Sequence, residues 1–326
     1  MYTLITASRL RTGEALEVGV VQAPDDDYAP LVRPILAHKS RNEQWHLDQV
    51  FAGRVDPLET RFYLGCLNEQ PVCNIMVSEH GGVGIMSHVY TRPEHRRKGI
   101  ARLVMAGQMA DFNDRDGRYL TLSTGYDTHP YYLYYSFGFR SVIPDSGHMK
   151  YAGNAAFEAE HFRGEGVRVV PGDWKNWPSL NVLCAQDGPP YVRNVGLGHI
   201  GPRMFEGAYL GLMKLTQEDA DHQVRLLVTD REAVTGYATL MPDTRWRGET
   251  CLLDLFVHPA FTAYWGALLD SFSMPAGRKI QSHVEPGDSR KTAALKDAGF
   301  VRESTLRKQF KAAGQAMDVE VYARHA

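Results

Sequence analysis

The sequence has little of what would mark a secreted, metal-stapled or membrane-spanning protein. It holds only four cysteines in 326 residues, Cys66, Cys73, Cys184 and Cys251. None stands at the short spacing of a metal-ligand pair or beside a histidine motif that would activate a thiol, so a disulfide scaffold and a cysteine zinc centre are excluded. The four read as reduced, buried or half-buried thiols of a cytoplasmic protein. The N-terminus, Met1 to Ile5, has no charged flank followed by a long apolar core, so no signal peptide is expected. No apolar run approaches the roughly 20 residues that span a bilayer. An excess of one charge is missing too: 36 basic residues face 38 acidic ones, net −2. Without a basic field or a charged tail, neither nucleic acid nor a membrane surface is expected as a partner.

What is present suits a globular protein: 44% hydrophobic and 23% charged residues, enough to bury real cores. The length is comfortable for two domains of about 150 residues. We expect them at 1–155 and 156–326, joined by a stretch running from Gly153 through Ala156 to Gly164 and Gly166.

The most informative stretch is Thr91 to Ala101. An apolar run ends at Val89 and Tyr90, and Pro93 blocks further sheet pairing because it has no amide hydrogen. A basic turn follows, Arg96-Arg97-Lys98-Gly99, and then Ile100 to Asn113, rich in helix formers. Strand, basic glycine turn and helix together aim free amides and the positive end of a helix dipole at one point, which suits a phosphate. Around it, Leu16–Val21 reads as a strand, with helices over Tyr28–Leu36 and Arg41–Phe51. Two strands, Phe62–Leu67 and Val72–Val77, read as a hairpin, and Gly84–Tyr90 as the strand before the turn. Tyr119–Ser123 is expected to lie parallel to that strand because a helix intervenes, and His129–Ser136 is a short aromatic helix.

Arg96-x-x-Gly99-x-Ala101, followed downstream by Tyr134-x-x-x-Gly138-Phe139, resembles the signature of the GNAT superfamily of acyl-coenzyme A N-acyltransferases. The likeness covers roughly residues 15–152. It implies an α/β fold with a mixed sheet, acetyl-CoA as cosubstrate and a primary amine as acceptor. By resemblance, Arg96, Arg97, Lys98, Gly99, Ile100 and Ala101 hold the pyrophosphate. The backbone of Val89, Tyr90 and Thr91 takes the pantetheine arm where two strands splay, and Tyr134 protonates the departing thiolate. Family members often carry a glutamate base on the strand before the loop. This strand has none, and His88 is its titratable group, either the proton acceptor or a structural histidine. Glu79, His80, Asp127 and His129 are reserves. The run Ser123 to Pro130 is expected to line the acceptor pocket.

The second half repeats the plan, with strands at Val167–Val170, Val224–Thr229, Ala233–Leu240, Cys251–Val257 and Lys279–Val284. Helices are expected over Trp174–Cys184, Phe261–Phe272 and Ser289–Ala298, the last closing on Gly299-Phe300. Such a tandem layout resembles that of mycothiol synthase and its relatives. After Pro259, however, no basic glycine turn appears, and Leu295 stands where Tyr134 would. The second domain is therefore expected to support or shape the substrate site, leaving one active site. A non-catalytic acyl-CoA sensor remains the alternative, and a homo-oligomer stays open.

Overall fold

The computed structural model describes residues 1–312 and 314–325. The chain falls into two compact units, Met1–Phe157 and Glu158–Ala326, each α/β with its own large mixed sheet.

Unit 1 opens with β1 (Tyr2–Arg9), β2 (Ala15–Ala23), α1 (Ala29–Leu36) and α2 (Arg41–Phe51). It continues through β3 (Glu59–Leu67), β4 (Gln70–His80), β5 (Val83–Thr91), α3 (Ile100–Asp114), β6 (Tyr119–Ser123), α4 (His129–Ser136), β7 (Arg140–Ser141) and β8 (His148–Ala152). The strand order is β1-β2-β3-β4-β5-β6-β8-β7, and β5–β6 is its parallel pair. That pair is parallel because α3 carries the chain back across the sheet before β6 begins.

Local chemistry sets these boundaries. The β3–β4 turn is two residues, Asn68 and Glu69, both in the left-handed region at φ 49° and 64°, as a tight hairpin requires. Helix α2 starts on a reciprocal capping box between Ser40 and Glu43. Helix α3 buries Ile100, Val104, Met105, Met109 and Phe112 against Leu16, Val18, Val20, Tyr63, Ile75 and Val77 of the sheet. At its end the chain turns so tightly that a Cβ on Gly117 would lie 2.5 Å from the Phe112 ring.

Unit 2 begins as α5 (Phe157–His161) closes, followed by β9 (Arg168–Pro171), α6 (Trp177–Cys184), β10 (Val192–Asn194), β11 (His199–Ile200) and α7 (Glu206–Glu218). Then come β12 (Gln223–Val228), β13 (Val234–Pro242), β14 (Thr250–Val257), α8 (Trp265–Asp270), β15 (Lys279–Val284), α9 (Ser289–Asp297), β16 (Val301–Ala312) and β17 (Gln315–His325). The large sheet runs β16-β17-β15-β14-β13-β12-β9, again with one parallel pair, β14–β15.

Several elements differ from the sequence-based expectation. Strands β1 and β16 are additional to it, both largely solvent-exposed and so without apolar alternation; β17 is additional too, although its Val319, Val321, Tyr322 and Ala323 are buried. Between Cys184 and Val224, where no element was expected, lie the β10–β11 ribbon and α7. The helix expected over Phe261–Phe272 is two pieces, a 3-10 turn at Pro259–Tyr264 and then α8. The Thr262 hydroxyl bonds back to Pro259 O at 3.3 Å and competes with the helical ladder there. Trp174, Trp177 and Trp265 are buried, while Trp246 is exposed. Among the described residues no helix is long and apolar enough to cross a membrane.

Phe112→Ala should cost about 3–5 kcal/mol, the usual range for emptying a fully enclosed aromatic site. Leu4→Ser, on the exposed edge strand, should cost under about 0.5 kcal/mol. Urea unfolding of the two variants checks the contrast, and equal losses would contradict the packing described.

Candidate active site

In unit 1 the two parallel strands part. β5 pairs with β6 at Val83↔Tyr119, Gly84↔Leu120 and Ile85↔Thr121, and then continues alone on that side to Thr91. Its other edge stays paired with β4, but through a bulge: Met76 faces Ser87, and Asn74 faces Tyr90. The extra residue bends β5 away from β6. His88 sits in the bulge with φ at 50°, a conformation uncommon for histidine. The buried Asn74 side chain holds it there, its Nδ2 donating to His88 O at 3.0 Å. Near the parting, the Ser87 and Thr121 hydroxyls and Asn74 Oδ1 are buried with no hydrogen-bond partner among the described residues.

Beyond Thr91 the chain makes a 3-10 turn, Pro93–His95, and enters the basic loop. Arg96 Nε donates to Thr91 O at 3.0 Å, and its guanidinium lies 5.6 Å over the Tyr90 ring. Tyr90 also packs against His38, the rings tilted by 34° with centroids 4.3 Å apart. Arg97 and Gly99 are both left-handed, φ 63° and 82°, so successive amides turn toward a common side. Gly99 begins α3 without a capping side chain, and the first helical bond runs from Leu103 N–H to Gly99 O at 3.2 Å. Among the described residues, the amides of 97–102 donate to no backbone acceptor. Those donors and the helix dipole fit a diphosphate. Lys98 is committed elsewhere: its ammonium pairs with Glu14 at 3.1 Å.

Tyr134, on α4, is 5% exposed and packs in one cluster with Met86 of β5, Leu122 of β6 and Ile100 of α3; Val89 and Ala101 flank the same cluster. His88 points to the other side, under α2, where its Nδ1 is 3.6 Å from Glu43 Oε1. Burial pushes the His88 imidazole down to about 4, with Lys39 adding to the effect and Glu43 opposing it. It is neutral at neutral pH. Glu43 is itself held below the usual carboxylate range: burial raises it, but the hydrogen bonds with Ser40 and the nearby His88 outweigh that.

The reserve candidates have other duties. Glu79 is buried in an ion-pair network with Arg115 and Arg61 and lies at the far end of β4, paired with Gly84. Asp127 accepts from the Tyr132 hydroxyl, His80 ends β4, and His129 opens α4 behind the Thr128 cap. Two contributors went unnoticed in the sequence. Asn74 breaks the apolar run Val72–Val77, and the Ser40-x-x-Glu43 box puts a carboxylate at a known point on α2; both signals were legible.

Unit 2 has a fork of the same kind, filled from within. β14 and β15 pair from Thr250↔Lys279 to Leu252↔Gln281 and then part. No bulge interrupts β13–β14, and the fully buried Lys291 of α9 donates through Nζ to Leu255 O at 3.0 Å. The turn after β14 is the Pro259–Tyr264 segment, with Trp265 buried behind it.

Two histidines set an acid response. Burial pushes His46 down to about 3 and His88 to about 4, both below the roughly 6.5 of an exposed imidazole. Between about pH 6.5 and 4 the unfolded chain therefore binds more protons than the folded one, so stability is present above this window and falls as pH drops through it. Each histidine should contribute a slope of up to about 1.4 kcal/mol per pH unit. His88→Asn, which tolerates the left-handed bulge, should flatten the curve in urea titrations between pH 7 and about 4. An unaltered slope would rule out His88 as a source.

No family model and no curated protein matches the sequence. Among solved structures, the chain is similar to a putative acetyltransferase from Salmonella typhimurium determined with acetyl-CoA, at 14% identity and TM-score 0.39, covering 49% of this chain and 94% of that one. A phosphinothricin acetyltransferase of the GNAT superfamily from Sinorhizobium meliloti, in complex with acetyl-CoA, is similar at 15% identity and TM-score 0.38, over 48% and 87% of the two chains. A ribosomal-protein-alanine N-acetyltransferase from Brucella melitensis is similar at 15% identity and TM-score 0.40, over 49% and 99%.

Proposed function

We propose that unit 1 is an N-acetyltransferase that moves an acetyl group from acetyl-CoA to a primary amine within a ternary complex. The observation that carries this is the fork of β5 and β6, opening beside a helix start whose amides from residue 97 to 102 donate to no backbone acceptor among the described residues. Those amides, with Arg96 and Arg97, would hold the diphosphate, and Ile100 and Ala101 would set the first turn of α3 under it. The free edge of β5 at Val89, Tyr90 and Thr91 would accept an extended amide-bearing arm as a sheet edge accepts a strand. Lys98 would contribute its backbone amide, since Glu14 holds its side chain.

In the chemistry, the amine nitrogen attacks the thioester carbonyl, a C–N bond forms and the C–S bond breaks. Tyr134 would give its phenolic proton to the departing sulfur from the α3 side of the sheet. His88, neutral and facing Glu43 on the α2 side, would take the amine proton. Attack would be direct: among the described residues the thiol nearest the fork, Cys73, is buried and its acidity suppressed by that burial, so it is a poor nucleophile for a covalent intermediate. Unit 2 would bind no coenzyme: Lys291 takes the strand-edge carbonyl, and no basic glycine turn follows β14. A position in the cytoplasm suits a protein whose four cysteines are all free and buried.

One observation favours a second reading, an acyl-CoA sensor without turnover. An imidazole held at about 4 is a weak proton acceptor at neutral pH. Release of free thiol from acetyl-CoA across a panel of amines decides between the two; release would establish turnover, and its absence with intact coenzyme binding would establish the sensor.

Arg96→Ala combined with Arg97→Ala should weaken coenzyme A binding by about 10- to 100-fold in calorimetry, for two lost charge-assisted contacts. Undiminished affinity would dispose of the loop assignment. Tyr134→Phe should lower kcat by about 10²-fold with coenzyme affinity kept, in the range general acids contribute. A normal rate would remove Tyr134 from the mechanism.

A further inference from the structure

The free edge of β5, on which the acetyl-transfer reading lays the pantetheine arm, is crossed by a side chain of the basic loop. In an antiparallel ladder, alternate residues bond to the partner strand and those between them face away. Arg92 N–H donates to Val72 O at 2.9 Å, two residues on from the Asn74↔Tyr90 pair. Tyr90 and Arg92 thus turn their backbone groups to β4. Thr91, between them, turns its carbonyl to the open side, where β6 has parted. The Thr91 hydroxyl is committed to Cys73 Sγ at 3.2 Å. Arg96 takes the carbonyl, its Nε donating to Thr91 O at 3.0 Å.

The same guanidinium lies 5.6 Å over the Tyr90 ring, within reach of a cation–π contact. That ring is itself held by His38. Both anchors of Arg96 lie on β5, before the loop, and both are uncharged. Among the described residues Arg96 has no carboxylate partner, so its charge is not neutralised. A phosphate oxygen offers this side chain a stronger, charge-assisted bond than a carbonyl and a ring do.

We propose that Arg96 is a latch on the pantetheine edge, opened by the diphosphate, and that it restricts the acyl donor to thioesters carrying a diphosphate. The inference rests on the acetyl-transfer reading of unit 1. An extended arm that pairs with β5 needs Thr91 O as an acceptor and an edge clear of side chains. A thioester without a diphosphate has to displace Arg96 from both anchors and gains nothing in exchange. Coenzyme A draws the guanidinium onto its phosphate oxygens, and the edge is then clear for the arm. The two halves of one ligand bind cooperatively, and the coupling between them resides in Arg96.

The test measures the affinity of the full chain for pantetheine, which has the arm and no diphosphate. Calorimetry and ligand-observed NMR read it alone and with saturating ADP, which has the diphosphate and no arm. In the unaltered chain ADP should tighten pantetheine by about tenfold, inside the roughly 5- to 150-fold range of such couplings. Arg96→Ala should bind pantetheine about tenfold more tightly than the unaltered chain does without ADP, and should lose the ADP effect. It should also bind coenzyme A more weakly. Arg96 is exposed, so its replacement leaves the fold intact. Arg97→Asn, which removes the neighbouring charge and tolerates the left-handed backbone there, should show no gain for pantetheine. An Arg96 that merely shaped the loop would, on removal, weaken both ligands. The latch is overturned if Arg96→Ala binds pantetheine no better, if Arg97→Asn gains equally, or if ADP leaves pantetheine unaffected in the unaltered chain. Should the chain bind neither coenzyme A nor ADP, the reading of unit 1 falls with it; should it bind coenzyme A while the pantetheine results fail, the latch alone falls.

Discussion

A single hydrogen bond organises the candidate site: the Asn74 carboxamide donating to the carbonyl of His88. It holds one extra residue in β5 against β4, and that residue bends β5 away from β6 after three paired positions. From this parting follow the unpaired edge at Val89 to Thr91 and the point where the basic loop begins. The sides divide here as well. Val89 packs with Tyr134 and α3, while His88 is turned under α2 toward Glu43.

The two units show what such a fork needs beyond topology. Both pair their parallel strands over three residues and then separate. In unit 1 the opening is flanked by a bulge, left-handed Arg97 and Gly99, and an uncapped helix start. In unit 2 the strand runs straight, and a buried lysine occupies the backbone carbonyl that faces the gap. Burial lowers the Lys291 ammonium from its usual range, with Asp254 opposing. Such a side chain acts as an internal strand partner. One architecture therefore accommodates an open site and a closed one, and the difference lies in a few side chains.

Much of this was legible in the residues. Apolar runs, the proline after β5 and the glycine before α3 located the strand–loop–helix unit and the second copy of the plan, because those signals are local and periodic. Strands β1 and β16 were not legible, since exposed strands owe their existence to ladder partners and not to their own pattern. The sequence by itself determined where the strand, the basic glycine turn and the following helix fall. Only the tertiary structure decided that His88 sits neutral in a bulge beside Glu43, that Lys98 is spent on Glu14, and that Lys291 closes the second fork. Each of these depends on groups distant in the chain meeting in a buried place, where desolvation and partner geometry outweigh intrinsic chemistry.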